Sequence, residues 1–115
     1  MPYVSVATNV PMDAGEAGRV ARLVSQCAVQ ATGKDEQWVM ARVEPGQALC
    51  YGGTDEPAAY VEFKNVGLDA DACASITDSL CALLSAQCGV PPERVYVEFK
   101  SLERRLFGWN GRTLG

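Results

Sequence analysis

The stretch Ala59-Tyr60-Val61-Glu62-Phe63-Lys64-Asn65-Val66 decides the fold, together with the segment that follows it to Lys100. Val61 and Phe63 alternate with polar neighbours, which predicts a strand with one apolar face. From about Asp71 the period changes: Cys73, Ile76, Leu80, Leu83, Leu84 and Cys88 recur at helical spacing. Gly89 ends that helix, and Pro91-Pro92 prevents its continuation. Val95 to Lys100 then reads as a returning strand. Strand, striped helix and strand make one β-α-β unit.

Toward the N-terminus the plan repeats. Tyr3 to Val10 reads as a strand closed by Pro11. Asp13 and Glu16 form a plausible capping box ahead of Val20, Leu23, Val24, Cys27, Ala28 and Ala31, and Gly33 closes the helix. Trp38 to Val43 predicts a second strand, and Ala48 to Tyr51 a short returning strand between Pro45-Gly46 and Gly52-Gly53. Gly33 and Gly89 stand 56 residues apart, as do Val39 and Val95, and Tyr3-Val4 and Tyr60-Val61 stand 57 apart. The expected fold is therefore α+β in two layers, a single domain over residues 1–115 with pseudo-repeats at about 1–56 and 57–115. Right-handed crossovers place both helices on one face of a four-stranded mixed sheet. The other face and the sheet edges need cover, which predicts an oligomer.

Composition narrows the chemistry. The 115 residues are 48% hydrophobic and 21% charged, a globular balance. Ten Lys and Arg against fourteen Asp and Glu give a net charge of −4, which disfavours nucleic acid as a partner. There is no histidine, which removes imidazole bases, Ser-His and Cys-His pairs and nearly all catalytic zinc sites. No cofactor or metal is implied, and the Gly-Gly and Asn-Gly sites lack the strand-loop-helix context of a phosphate loop. No apolar run is long enough for a bilayer, and the first ten residues lack a basic leader. Five cysteines without a C-x-x-C pair read as buried, reduced thiols of a cytoplasmic protein. Lys100, Arg104, Arg105 and Arg112, interleaved with Glu98 and Glu103, read as a solvated surface.

Met1-Pro2 supplies one candidate base. Removal of Met1 would leave Pro2 as a free secondary amine, both nucleophile and base, and burial would lower its pKa toward neutrality. With Met1 retained, the same nitrogen is an acylated amide. Position alone does not make a Met-Pro start catalytic.

Met1-Pro2 stands in this chain with Thr8-Asn9-Val10-Pro11, Ala31-Thr32-Gly33-Lys34, Gly52-Gly53 through Glu56-Pro57, and Val66-Gly67. Pro92-Glu93-Arg94-Val95-Tyr96 and Gly108-Trp109-Asn110-Gly111 follow in order. With these motifs the whole chain resembles the macrophage migration inhibitory factor family of the tautomerase superfamily. The resemblance implies a ring-like homotrimer with sites at subunit interfaces. It implies that Pro2 is the catalytic base of a keto–enol tautomerisation and that Lys34 holds a substrate carboxylate. It further implies that Val66 forms pocket wall, that Tyr96 and Glu98 reach a neighbouring subunit's pocket, and that Phe107 and Trp109 supply an aromatic wall. Trp38 would stand at the pocket mouth.

Three departures from the family pattern stand out. Glu98 replaces the common Asn, and a carboxylate near the amine would raise its pKa, unless Glu98 pairs with Lys34 or Arg42. Ala58-Ala59-Tyr60-Val61 occupies the place of a C-x-x-C, so no thiol-redox activity is expected, and Leu114 replaces a C-terminal Phe. The expected activity is cofactor-independent tautomerisation of small α-keto acids of the phenylpyruvate type. The alternative is a cytokine-like effector that binds a receptor protein, exported without a signal peptide, with a vestigial pocket. Neither reading involves a membrane.

Overall fold

A computed structural model describes all 115 residues. Strand β1 (Tyr3–Thr8), helix α1 (Ala14–Thr32) and strand β2 (Met40–Glu44) form the first unit, and β3 (Ala59–Val66), α2 (Cys73–Cys88) and β4 (Val95–Leu102) the second. The sheet order is β2-β1-β3-β4. Each unit contributes one parallel pair, and the units join through the antiparallel pairing of β1 with β3. The fold is the expected two-layer α+β arrangement with a duplicated β-α-β unit. No helix is long and apolar enough to cross a membrane.

Strand alternation sends Val4, Val6, Val61 and Phe63 to one face, where they meet Val20, Val24 and Ala28 of α1 and Ile76, Leu80 and Leu84 of α2. The opposite face carries Arg42, Glu62, Lys64, Tyr96 and Glu98. Both helices stop at glycines in the left-handed region, Gly33 at φ 68° and Gly89 at φ 69°, where a side chain would be strained. Asp13 caps α1 by accepting the Glu16 N–H at 2.8 Å. The return bond from the Glu16 side chain is not formed, so only half of the expected box exists.

Several boundaries differ from the sequence reading. β1 ends at Thr8, because the Thr8 hydroxyl accepts the Val10 N–H at 3.2 Å and donates to the Ala58 carbonyl at 2.7 Å, turning the chain away from the ladder. The second strand starts at Met40 rather than Trp38: Asp35 accepts the Gln37 N–H and captures Glu36–Trp38 in a 3₁₀ turn. A 3₁₀ turn at Ala70–Ala72 likewise precedes α2.

The short strand expected at Ala48 to Tyr51 is absent. This segment belongs to a loop held by side chains: Asn9 donates to the Asp55 and Glu56 carbonyls and accepts the Ala58 N–H. Arg94 donates to the carbonyls of Pro57, Tyr51, Thr54 and Glu56 and lies over the Tyr51 ring. The cysteines are free, as expected, but none is fully buried and Cys50 is exposed. The C-terminal segment adds a hairpin, β5 (Gly108–Trp109) with β6 (Arg112–Thr113). Its turn is Asn110-Gly111, both at positive φ, the dipeptide that a tight two-residue hairpin favours.

Candidate active site

Pro2 is buried where the chain enters β1, and its carbonyl accepts the Met40 N–H at 3.0 Å. Met1 continues past the sheet and lies between two cavities. The first, about 390 Å³, has walls from Pro2, Tyr3, Trp38, Met40, Leu102, Phe107 and Trp109, with Lys64 and Gln37 among its lining residues. The second, about 380 Å³, is lined by Lys34, Val66, Gly67, Arg104 and Leu114. Met1 and Trp38 border both.

Local structure explains this convergence. The left-handed Gly33 ends α1 and delivers Lys34 to the second cavity. The 3₁₀ turn that displaced the expected strand start presents Trp38 edge-on to Trp109, with centroids 4.9 Å apart. The C-terminal hairpin positions Trp109, and the Leu114 N–H bonded to the Phe107 carbonyl at 3.0 Å folds the last residues back over the site.

The electrostatics run one way. The charged side chains lining the two cavities are Lys34, Lys64 and Arg104, all cationic, in a chain of net charge −4. The terminal ammonium of Met1 donates to Asn65 Oδ1 at 3.2 Å. Partial burial, and then the Lys34 charge, hold this amine below the ordinary value of 8.0. The Met1 amine is therefore shifted toward its neutral, basic form.

Of the residues singled out in the sequence, Pro2, Lys34, Val66, Phe107, Trp109 and Trp38 gather around Met1. Tyr96 and Glu98 do not join them within one chain. In the sheet register Tyr96 lies level with Tyr60 and Ala7, whereas Tyr3 lies level with Lys64 and Lys100, about 13 Å away along the strands. Glu98 does share the open face with Tyr96, but it pairs with neither Lys34 nor Arg42. Its carboxylate accepts the Tyr60 hydroxyl, which raises the Tyr60 pKa above 10.0, and Arg42 pairs with Glu44 at 3.2 Å.

Sequence reasoning missed Asn65, Lys64 and Arg104. Asn65 carries a legible signal, a polar side chain at an inward position of a strand whose other inward positions are Ala59, Val61 and Phe63. Arg104 has none, because only the return of the C-terminal segment brings it to the cavity.

The duplicated β-α-β sheet with both helices on one face is an α+β fold shared with solved macrophage migration inhibitory factor structures. A family model described as macrophage migration inhibitory factor (MIF) matches residues 1–115, and the chain belongs to that family. The chain is 35% identical to the macrophage migration inhibitory factor of Mus musculus over 114 residues, covering 98% of each. It is 31% identical to the homolog of Brugia malayi over 116 residues, covering 100% of each. The crystal structure of the Prochlorococcus marinus homologue superposes with a TM-score of 0.92 at 31% identity, covering 98% of this chain and 99% of that one.

Proposed function

We propose that this protein is a cofactor-independent keto–enol tautomerase of small α-keto acids, acting as a homotrimer of one-domain chains with Pro2 as general base. The observation that supports this reading best is the buried Pro2 in the wall of an aromatic cavity that adjoins, across Met1 and Trp38, the cavity lined by Lys34. With Met1 removed, the Pro2 nitrogen becomes a secondary amine among the same residues. Starting from the enol, the amine takes the hydroxyl proton as the C2–O double bond forms, and C3 receives a proton back from the ammonium. Lys34 holds the carboxylate as a point charge, while Trp38, Phe107 and Trp109 flank an aryl substituent. Val66 closes the wall. Tyr96 and Glu98, exposed at the far end of the sheet, belong in this reading to the site of an adjoining copy.

The test is the ketonisation rate of enol-phenylpyruvate, followed against pH with protein of known intact mass. The neutral amine is the active form, so kcat/KM rises with pH and levels off above an apparent pKa lower than that of a free secondary amine. Pro2→Gly reduces kcat by about 10²–10⁴, the range of general-base catalysis. Protein that keeps Met1 has an amide at Pro2, whose lone pair is delocalised into the Met1 carbonyl and cannot act as a base, and is inactive. Wild-type rates in Pro2→Gly, or in the Met1-bearing form, would refute the assignment.

A second reading, an exported protein-binding effector, draws support from the factor names of the relatives and from the exposed Met40 and Leu106 side chains. It is favoured over the first if partner binding persists in Pro2→Gly and fails when Met40 or Leu106 is replaced by a charged residue.

A further inference from the structure

Lys34 and Arg104 line the same 380 Å³ cavity, yet neither has a carboxylate within 4 Å. The neighbouring Arg105 does, pairing with Glu103 at 3.9 Å. Arg104 is held in place by a different contact: its Nη2 donates to the Leu114 carbonyl at 2.8 Å, and Leu114 is itself part of the cavity wall. That single bond leaves most of the guanidinium N–H groups without a partner in the chain. A point charge and a planar fork facing one small space can each hold a separate anionic group, and the fork suits a carboxylate in particular.

We infer that Arg104 is a second anion anchor, and that the preferred substrates are short 2-oxo dicarboxylates whose α-carboxylate rests on Lys34 and whose distal carboxylate rests on Arg104. This deepens the tautomerase reading and rests on it. An aryl group needs the aromatic cavity, whereas a diacid of four or five carbons places both charges in the second cavity. Entry of Glu98 from an adjoining copy does not cancel this preference. One carboxylate against Lys34 and Arg104, neither of which has a carboxylate within 4 Å in the chain, leaves the second cavity with a net positive charge.

The experiment compares two substrates of equal chain length, 2-oxopentanedioate and 2-oxopentanoate. Pro2 removes a C3 proton to form the enolate, and in D₂O the carbon takes back a deuteron, so NMR follows the replacement of C3–H by C3–D. Wild-type protein with Pro2 exposed is expected to exchange the diacid with a kcat/KM at least tenfold above that of the monoacid. Arg104→Gln collapses this ratio by tenfold or more, Arg104→Lys retains part of it, and Arg105→Gln leaves it unchanged. A ratio within twofold of wild type in Arg104→Gln, or equal losses for both substrates, would overturn the assignment.

Calorimetric titration with glutarate and with pentanoate separates this inference from the reading beneath it. If wild-type protein exchanges neither keto acid, the tautomerase reading fails, and an Arg104-dependent preference for glutarate still supports the second anchor. Equal affinity for the two ligands sinks the anchor whatever the exchange rates. If Arg104→Gln loosens the C-terminal segment and lowers the unfolding midpoint, the Arg104→Lys ratio decides: a value at or below the Arg104→Gln ratio counts against the fork.

Discussion

The pentapeptide Tyr-Val-Glu-Phe-Lys occurs twice, at residues 60–64 in β3 and 96–100 in β4, and the parallel register sets each residue beside its duplicate. The two copies fare differently. β3 is an inner strand, and its Val61 and Phe63 are fully buried, whereas β4 is an edge strand, and its Val97 and Phe99 are only partly covered. The polar positions diverge as well: Lys64 lines the aromatic cavity while Lys100 does not, and Glu62 approaches Lys64 at 3.8 Å while Glu98 accepts from Tyr60. Identical local sequence thus yields different energetics and different chemistry, because neighbouring strands and chain ends decide what each side chain meets.

Truncating the two phenylalanines separates the copies most widely. Phe63→Ala should lower stability to denaturant by about 3–5 kcal/mol, the range for a buried Phe, and Phe99→Ala by about 1–2 kcal/mol. Equal losses would break the comparison and show that another chain covers the β4 edge in solution. Arg94 has no counterpart in the first repeat. Arg94→Ala, which removes a charged donor from four carbonyls, should cost about 2 kcal/mol and open the loop around Gly52-Gly53 to proteolysis. Lys64→Gln should weaken binding of an anionic ligand a few-fold, while Lys100→Gln changes it less than twofold in the same titration.

The smallest effect concerns Glu98. The Tyr60 hydroxyl donates to that carboxylate, so the folded state holds its proton more tightly than the unfolded chain does. The resulting stabilisation is fully present below pH 10.0 and is lost as pH rises through the higher folded pKa. In Glu98→Gln the phenol should titrate closer to 10.0, measured by absorbance at alkaline pH. An unmoved titration would mean that burial, not the carboxylate, sets the shift.

The order of elements is legible in the sequence because it rests on local causes, namely period-two strands, striped helices, and glycines where the backbone must turn left-handed. The misplaced features share one physical origin. Trp38 has strand propensity, but Asp35 offers the backbone a nearer partner, and residues 48–51 are claimed by Asn9 and Arg94, each about forty positions away. Family resemblance, rather than spacing, pointed to Pro2, Lys34, Val66, Phe107 and Trp109. The chain brings these together, while the same resemblance sends Tyr96 and Glu98 to a different copy. Arg104 was illegible because its meaning depends on where the last ten residues return.

The loop held by Asn9 and Arg94 has a consequence for connectivity. It is the only covalent bridge between the two halves, yet one of its clamps comes from each half, and the β1–β3 ladder joins them independently. A nick between Gly52 and Gly53, exposed glycines at φ 61° and 79°, severs no bond of the four-stranded sheet and no clamp, and opens only the turn that closes the Tyr51–Thr54 bridge. Residues 1–52 and 53–115, made as separate polypeptides, should therefore reassemble into the same sheet.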